Sequence, residues 1–278
     1  MINGSTSLIA HIGYPTHAFK SPLIYNPYFE QAGIDAVVVP MGCEAGDFPV
    51  FLRSVFKLTN IRGALITMPH KITTVGLLDE ATTTVQIAGA CNAVRRDADG
   101  RLQGDLFDGE GFVRGVRRKA GRIAGARALV VGCGGVGSAI AASLAAAGIA
   151  ELSLHDLRSG QAEALAGRLA KHYPALRLSM GADPAGHGLV VNATPMGMNE
   201  GDPMPMDVGR IAPDAFVGEV VMKQDMTPFL RAVKARGCSF QVGVDMLFEQ
   251  IPAYLEFFGL PTTTPDVLRS VARLHGNS

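Results

Sequence analysis

The stretch ALVVGCGGVGSAIA at residues 128–141 constrains the fold of this chain more than any other segment. A short apolar run, typical of a buried strand, leads directly into Gly132, Gly134 and Gly137, and a helical pattern follows. In a Gly-x-Gly-x-x-Gly turn, the first glycine permits the tight turn and the second lets the backbone approach a pyrophosphate. The third allows close packing of the helix, whose N-terminus faces the phosphate charge. The stretch therefore predicts a dinucleotide-binding strand–turn–helix.

An acidic residue in the expected place strengthens this prediction. Asp156 lies nineteen residues after Gly137, at the end of the next predicted strand. A carboxylate there suits the two ribose hydroxyls of NAD and repels the additional phosphate of NADP. Arg158 follows two residues later and could either attract that phosphate or lie in solvent. We expect NAD as the cofactor, with NADP still possible.

The rest of the chain alternates short apolar strands with helical stretches, which predicts an α/β fold with a parallel or mixed sheet. The predicted strands are SLIAHIG, DAVVVPMG, IRGALITM, ARALVVG, AELSLHD, GLVVNAT and AFVGEVV. The predicted helices are PLIYNPYFEQAG, DFPVFLRSVFKL, the segment after the glycine loop, residues 159–172, TPFLRAVKARG, VDMLFEQIPAYLEFFG and TPDVLRSVARLHG. ADG within RRDADGRLQGD predicts a β-hairpin.

Length and charge limit the possible functions. At 278 residues the chain is long enough for two domains, and its 25 basic and 25 acidic residues give a net charge of zero. Without runs of like charge, we expect neither nucleic acid nor a membrane as partner. The scattered cysteines indicate buried free thiols in a reducing cytoplasm, and no signal peptide is recognisable. No cluster has metal-ligand spacing, so we predict no metal; the methionines near the expected cofactor pocket suit an apolar lining.

Several short motifs, taken together and in order, resemble the shikimate and quinate dehydrogenase family over nearly the whole chain. They are GYPTHAFKSP, LITMPHK, AGACNAV, GDLFDGEG, the glycine loop, NATPMGM, DMTPFL and GVDMLFEQ. The resemblance implies a substrate-binding domain at 1–105, a Rossmann domain at 106–240, and C-terminal helices at 241–278 that complete the substrate domain. It also implies a small carbocyclic substrate and a monomer or homodimer.

By the same resemblance, Lys71 and Asp108 are the catalytic pair, facing each other across the cleft between the domains. Hydride transfer at a carbinol carbon requires that its oxygen lose or gain a proton, and a lysine held against a carboxylate can serve both directions. The resemblance places substrate-binding positions at Phe19, Ser21, Thr67, Asn92, Met222 and Gln250. It places cofactor-binding positions at Gly132, Gly134, Gly135, Val136, Gly137, Asp156, Arg158, Thr194, Met196, Gly243 and Met246.

Simpler interpretations of the same residues stay open at this point. Lys71 could be a solvated lysine paired with any acid, and Asp108 a turn residue before Gly109. His70 precedes Lys71, and because adjacent strand residues point to opposite faces, we expect it to face away. We interpret His11 and His17 as structural.

The chain departs from the family pattern at positions that bind substrate. Phe19 replaces the first of two serines and Met222 replaces a tyrosine, and the resemblance assigns both lost residues to the substrate carboxylate. Leu65 replaces an asparagine, and Leu106 and Phe107 replace the first two residues of an NTDG motif.

A hydrogen bond to a charged group contributes about 1.5–3 kcal/mol, so losing two would lower turnover efficiency roughly a hundred- to ten-thousand-fold. We therefore expect weak activity on shikimate and a true substrate that is less polar or lacks the carboxylate. Phe19 and Met222 could instead be core packing, with the carboxylate held elsewhere. A different class also fits the eroded substrate positions, namely a regulatory protein that binds ligand and dinucleotide without catalysis. The proton-handling pair favours the enzyme.

Overall fold

The computed structural model describes residues 2–274, which fold into two compact units. The first unit comprises residues 2–85, 89–107 and 251–274, and the second comprises residues 86–88 and 108–250. Two helices contribute residues to both units.

The first unit is built on a mixed six-stranded sheet with the strand order β2-β1-β3-β5-β6-β4. β1 pairs in parallel with both β2 and β3, whereas β5 runs antiparallel to β3 and β6. The strands are β1 (Ser7–Gly13), β2 (Ala36–Gly42), β3 (Ile61–Ile66), β4 (Glu80–Ala81), β5 (Ala93–Arg96) and β6 (Leu102–Asp105). The helices that begin in this unit are α1 (Pro22–Ala32), α2 (Phe48–Val55), α3 (Lys71–Val75), α4 (Thr83–Ala88) and, at the C-terminus, α10 (Pro265–Val271), with a 3-10 turn at Thr16–Ala18.

Local sequence signals explain where these elements begin and end. Pro22 is the first residue of α1, where its missing N–H is not needed, and Gly33 ends the helix with a left-handed φ of 66°. The predicted hairpin joins β5 to β6: the Asp97 carboxylate accepts from the N–H groups of Asp99 and Arg101 at 3.0 and 2.9 Å. Asx-type bonding of this kind is why ADG specifies a turn.

The C-terminal segment packs on the start of the chain, as expected. The N–H of Arg273 donates to the carbonyl oxygen of Leu23 at 2.8 Å, and the guanidinium of Arg273 pairs with Glu30. The Tyr28 hydroxyl donates to the carbonyl of Pro261 at 2.9 Å. These contacts attach the C-terminal residues to α1.

The second unit contains an all-parallel six-stranded sheet with the strand order β12-β11-β10-β7-β8-β9. Its strands are β7 (Arg127–Val131), β8 (Glu151–His155), β9 (Arg177–Met180), β10 (Leu189–Asn192), β11 (Phe216–Glu219) and β12 (Ser239–Gln241). Its helices are α5 (Asp108–Ala120), α6 (Gly135–Ala146), α7 (Gln161–His172), α8 (Pro228–Ala235) and the first half of α9 (Gly243–Phe257), with a 3-10 turn at Val208–Arg210.

This strand order is that of the doubly wound dinucleotide-binding fold, and its direction of winding reverses between β7 and β10. The four inner strands of this sheet are covered by helices on both faces and are mostly buried, which explains their continuous apolar runs. Residues such as Val130, Ile140 and Leu154 are fully enclosed in the core on the α6 side. Phe229 and Val217 belong to the core on the other side. The predicted α/β class with a Rossmann unit is confirmed.

The described residues contain neither a membrane-spanning helix nor a disulfide bond. Within residues 2–274, no helix combines the length and apolar character needed to cross a membrane. All four cysteines are buried with free thiols: Cys43, Cys91, Cys133 and Cys238.

Candidate functional site

The glycine loop has the geometry that close approach of a phosphate requires. Gly132 has a φ of +100°, which side-chain-bearing residues rarely adopt. A Cβ on Gly137 would lie 1.8 Å from the carbonyl oxygen of Gly132, so only glycine fits there. Gly134 precedes α6 without a side-chain cap, which leaves the first N–H groups of the helix, from Gly135 and Val136 onward, able to meet an anion.

Asp156 lies at the end of β8, beside this loop. Its carboxylate accepts from the N–H of Cys133 at 2.7 Å and from both Nε and Nη2 of Arg158 at 3.0 Å. The bonds from Arg158 outweigh burial and hold the pKa of Asp156 well below its usual range. Only 7% of the Asp156 side chain is exposed, against 63% for Arg158. The site therefore presents a buried negative charge with an exposed positive charge outside it.

A pocket of about 420 Å³ opens between the loops that follow β7, β8 and β10. Gly132, Gly134, Asp156 and Arg158 line one part of it, and Thr194 and Met196 line another. The pocket lies at the carboxyl ends of the parallel strands where the winding reverses, which is the position where such sheets bind ligands.

A buried polar network, not predicted from the sequence, shapes the far side of this pocket. Asn192 accepts from the N–H and hydroxyl of Thr194 at 3.0 and 2.6 Å and donates to the carbonyl of Met196 at 3.0 Å. Glu219, fully buried, accepts from Asn192 at 3.1 Å and from the hydroxyl of Thr227 at 2.7 Å. Burial raises the pKa of Glu219, and these two hydrogen bonds oppose the rise. The network holds the loop that carries Thr194 and Met196.

Gly243 and Met246 lie at the start of α9 and are not among the residues that line this pocket. A Cβ on Gly243 would lie 2.1 Å from the carbonyl oxygen of Val221, so glycine lets the helix contact the backbone after β11. The Met246 side chain is 1% exposed and belongs to the core on the α6 side. Their predicted contact with the cofactor stays a prediction.

Lys71 is placed by a turn and a helix and does not lie at the mouth of a strand. β3 ends at Ile66, a turn follows, and Lys71 is the first residue of α3, half-buried, with its carbonyl bonded to the N–H of Cys91 at 2.9 Å. The strand alternation used for His70 therefore does not apply. His70 is nonetheless turned into the core: its ring stacks on Phe48 at 4.0 Å, and its Nε2–H donates to the carbonyl of Cys43 at 2.8 Å.

Thr67 and Asn92 both adjoin Lys71. Thr67 begins the turn that leads to Lys71, and Asn92 follows Cys91, whose N–H donates to the Lys71 carbonyl. The Thr67 N–H donates to the carbonyl of Ile12 at 2.9 Å, which anchors the turn that leads to Lys71. The Oδ1 of Asn92 accepts from the N–H of Phe107 at 3.0 Å, whereas its Nδ2 is sealed from solvent and has no hydrogen-bond partner in the described residues. One half of this amide is structural, and the other half is a donor for which a ligand atom would be a partner.

The opening motif places Phe19 and Ser21 on either side of Lys20, between the 3-10 turn and α1. Phe19 is half-buried, and its ring stacks on His11 with 4.0 Å between centroids. Ser21 is half-buried directly before α1, and its side chain does not cap that helix. Neither residue belongs to the enclosed core, which argues against core packing as the role of Phe19.

In the second unit, Asp108 is the first residue of α5 and is 7% exposed. Gln250, on α9, is 8% exposed, and its Oε1 is sealed without a hydrogen-bond partner in the described chain. α5 and α9 approach closely here, because a Cβ on Gly111 would lie 2.6 Å from the Cβ of Gln250. Met222 is 41% exposed, so core packing does not account for it.

Three of the departures from the family pattern belong to the core of the first unit. Leu65 and Leu106 are 4% and 1% exposed, and Phe107 packs edge-on against Tyr254 and Phe257. These substitutions replace polar positions with apolar packing. Among residues 2–274, no group of three or more His, Cys, Asp or Glu side chains is arranged to hold a metal ion.

The strand order, the glycine loop and the pocket at the switch point define a Rossmann-type dinucleotide-binding protein with a second α/β unit. Comparisons with known proteins agree with this class. A model of the shikimate dehydrogenase substrate binding domain matches residues 11–94. The shikimate dehydrogenase (NADP(+)) of Acidiphilium cryptum is 34% identical over 275 residues, covering 98% of both chains.

Solved structures extend the likeness along the chain. The shikimate 5-dehydrogenase of Listeria monocytogenes, in complex with shikimate and NAD, superposes with a TM-score of 0.90 at 25% identity, covering 97% of each chain. The quinate dehydrogenase of Corynebacterium glutamicum, in complex with NAD, superposes with a TM-score of 0.83 at 29% identity, covering 96% of this chain and 98% of its own. The chain belongs to the shikimate dehydrogenase family, as its motifs predicted.

Proposed function

We propose that this protein is an NAD(P)-dependent dehydrogenase that interconverts a hydroxyl and a ketone on a shikimate- or quinate-like carbocycle. The observation that carries the proposal is the pocket at the ends of β7 and β10, in a chain that aligns with shikimate dehydrogenases along nearly its whole length. The glycine cradle and the uncapped start of α6 suit the pyrophosphate of such a cofactor.

When bound, the nicotinamide would accept or supply the hydride. The proton that accompanies it is assigned to Lys71 and Asp108, the two residues at the family's catalytic positions. Lys71 begins a helix after a turn that is tied to β1, and Asp108 begins α5. Both positions are held by backbone structure, which suits groups that must meet a substrate oxygen reproducibly.

The preferred substrate in this proposal is a neutral or weakly polar carbocycle. Phe19 and Met222 supply no hydrogen bond for a carboxylate. The Nδ2 of Asn92 and the Oε1 of Gln250 are buried, have no hydrogen-bond partner within residues 2–274, and suit ring hydroxyls. Shikimate itself should therefore be turned over weakly.

The preferred cofactor is NAD. The carboxylate of Asp156 stays ionised because its pKa is held low, and it would accept hydrogen bonds from ribose hydroxyls while repelling a ribose phosphate. Arg158 is engaged with that carboxylate, so its charge is largely neutralised.

The test is a panel of substrates followed at the nicotinamide absorbance with both cofactors. We would compare shikimate, quinate, methyl shikimate and unsubstituted cyclic polyols. The proposal expects turnover of at least one neutral carbocycle with a higher kcat/KM than that of shikimate, and NAD⁺ preferred over NADP⁺. A turnover of tens per second on shikimate with a micromolar KM would contradict the proposed substrate preference.

Replacing Lys71 with Met separates catalysis from mere ligand binding. The variant should lose about 10²–10⁴-fold in kcat, because general acid–base catalysis contributes that much, and should still bind NAD⁺. Lys57→Met, at an exposed lysine of the same unit, is the matched control and should retain wild-type rates. A wild-type protein that binds ligands but turns over none of the panel would favour the regulatory alternative.

A further inference from the structure

His11 is a buried histidine within the first unit whose surroundings do not account for its polarity. It lies on β1, where it pairs with Leu65 of β3 on one side and Pro40 of β2 on the other. Its ring is 6% exposed and stacks on Phe19. A histidine that served only packing at such an apolar position would normally have a hydrogen-bond partner within the protein.

The imidazole of His11 has no such partner among the described residues. Its Nδ1 is sealed from solvent and makes no hydrogen bond. Its Nε2 likewise has no hydrogen-bond partner in this part of the chain, but it is not among the sealed atoms. His11 therefore differs from His70, whose ring is also buried but whose Nε2 is bonded to a backbone carbonyl. An unpaired buried polar group lowers stability, so where a native structure retains one, local strain, a bound water, ion or ligand, or a role in the chemistry accounts for it.

The protonation state and the tautomer of the His11 ring follow from its surroundings. Burial, together with the nearby charge of Lys71, lowers the pKa of His11 to about 4, so the imidazole is neutral at physiological pH. A neutral imidazole carries one N–H. Burying an unpaired N–H is less favourable than burying an unpaired lone pair, which assigns the lone pair to the sealed Nδ1 and the proton to Nε2. The accessible nitrogen is then a hydrogen-bond donor without a positive charge.

The location of His11 matches that of the candidate substrate-binding residues of the same unit. The Phe19 ring stacks on the His11 ring. Phe19 and Thr67 both pack against Gly13, because a Cβ on Gly13 would lie 2.9 Å from Cζ of Phe19 and 2.4 Å from the Thr67 methyl. Lys71 is near enough for its charge to affect the imidazole. On this face of the sheet Leu65, the strand neighbour of His11, offers no polar atom to a ligand.

We propose that His11 is a substrate-binding residue that donates a hydrogen bond from Nε2 to a ring hydroxyl or ring ketone oxygen of a neutral, hydroxylated carbocycle bound beside Lys71. The inference rests on the proposed function and specifies which residue selects for hydroxyl groups where a carboxylate-binding group is absent. A neutral donor stacked on a phenyl ring suits an uncharged ligand better than an anion, because it provides no charge to offset the desolvation of a carboxylate.

The test is the affinity for methyl shikimate, a neutral ester that keeps the ring hydroxyls, measured by calorimetry. His11→Phe preserves the size of the ring and its stacking on Phe19 but removes the donor, and should raise the Kd about 5- to 100-fold. Methyl cyclohexenecarboxylate, which lacks the hydroxyls, should bind wild type and variant equally. His11→Gln, which restores a donor, should recover part of the affinity for methyl shikimate.

A matched control and a stability measurement separate binding from structure. His17→Phe, at an exposed histidine of the same segment, should leave both affinities unchanged. The Tm of His11→Phe should equal or exceed that of wild type, because an unpaired buried nitrogen is removed, whereas a purely structural histidine would give a lower Tm and an unchanged Kd.

Equal affinity of His11→Phe and wild type for methyl shikimate would overturn the inference, as would a wild-type protein that does not bind this ester. Failure of the proposed function has a different signature. A wild type that binds methyl shikimate through His11 but reduces no cofactor with any substrate of the panel would leave His11 as a ligand-binding residue and refute the dehydrogenase assignment.

Discussion

The choice of cofactor can be reversed at one residue. Asp156→Ser removes the carboxylate at the end of β8 and releases Arg158, which in the wild type donates two hydrogen bonds of 3.0 Å to it. The N–H of Cys133 also loses its 2.7 Å acceptor, which the serine hydroxyl can partly replace. The ribose phosphate of NADP would then meet an unpaired guanidinium where the wild type offers a carboxylate.

Two contributions set the expected magnitude. Two unit charges about 6 Å apart interact by about 3 kcal/mol at an effective dielectric constant of 20, and removing Asp156 removes this repulsion. A hydrogen bond from the released guanidinium to phosphate contributes about 1.5–3 kcal/mol. Together, after allowance for screening by salt, they should raise the ratio of kcat/KM for NADP⁺ to that for NAD⁺ about 10²- to 10⁴-fold.

The assay is initial rates with both cofactors at a saturating concentration of the best substrate of the panel. Asp156→Ser combined with Arg158→Ala should lose the part of the gain that the guanidinium supplies. Asp183→Ser is the matched control, because Asp183 forms a similar two-point pair with Arg210, at 2.8 and 2.6 Å, but does not line the pocket. If Asp156→Ser changes the ratio by less than threefold, the assignment of Asp156 to the ribose is wrong.

Three further predictions concern the loop, the buried network and pH. Gly137→Ala should abolish NAD⁺ binding in calorimetry, because its Cβ would lie 1.8 Å from a backbone oxygen of the loop. Glu219→Ala should lower the free energy of unfolding by about 2–5 kcal/mol in urea titrations, since two buried donors lose their acceptor, and Glu219→Gln should lower it less. The pKa of His11 is lowered on folding to about 4, so the unfolded chain binds more protons below pH 6.5 and stability falls as the pH drops through this window. Between pH 7 and 4.5 wild type should lose about 2–3 kcal/mol more than His11→Phe, and equal losses would contradict the burial of a neutral ring.

Local signals in the sequence predicted the elements whose formation depends on neighbours in the chain. The glycine loop, the hairpin at Asp97 and the ends of α1 all follow from residues with special backbone preferences. The strands β4, β9 and β12 were not predicted. They contain two to four residues, and β9 and β12 lie at the edges of the sheet of the second unit, where exposure removes the apolar run that marks a buried strand.

Residues of the candidate site that belong to sequence motifs were predicted. Residues that come together only in the folded chain were missed. Glu219 reads as an ordinary acid in a strand, and its bonds to Asn192 and Thr227 depend on the pairing of β10 with β11 and on the placement of α8. His11 was interpreted as structural, because the sequence does not reveal that its ring nitrogens have no hydrogen-bond partner among the residues that the structure describes. Strand alternation was applied to His70 and Lys71, and the turn that separates them from β3 was not recognised.

The sequence by itself determined a Rossmann unit with a glycine loop before a helix and an acidic residue after the next strand, because glycine geometry and hydrophobic periodicity act over short stretches. The family of the whole chain followed from the resemblance of its ordered motifs. The tertiary structure alone decided that the carboxylate of Asp156 accepts from the N–H of Cys133, that Glu219 is buried, and that His11 is neutral and has no hydrogen-bond partner in the described part of the chain. These properties depend on which groups distant strands bring within hydrogen-bond distance and on how much water the packing excludes, and neither quantity is local in the chain.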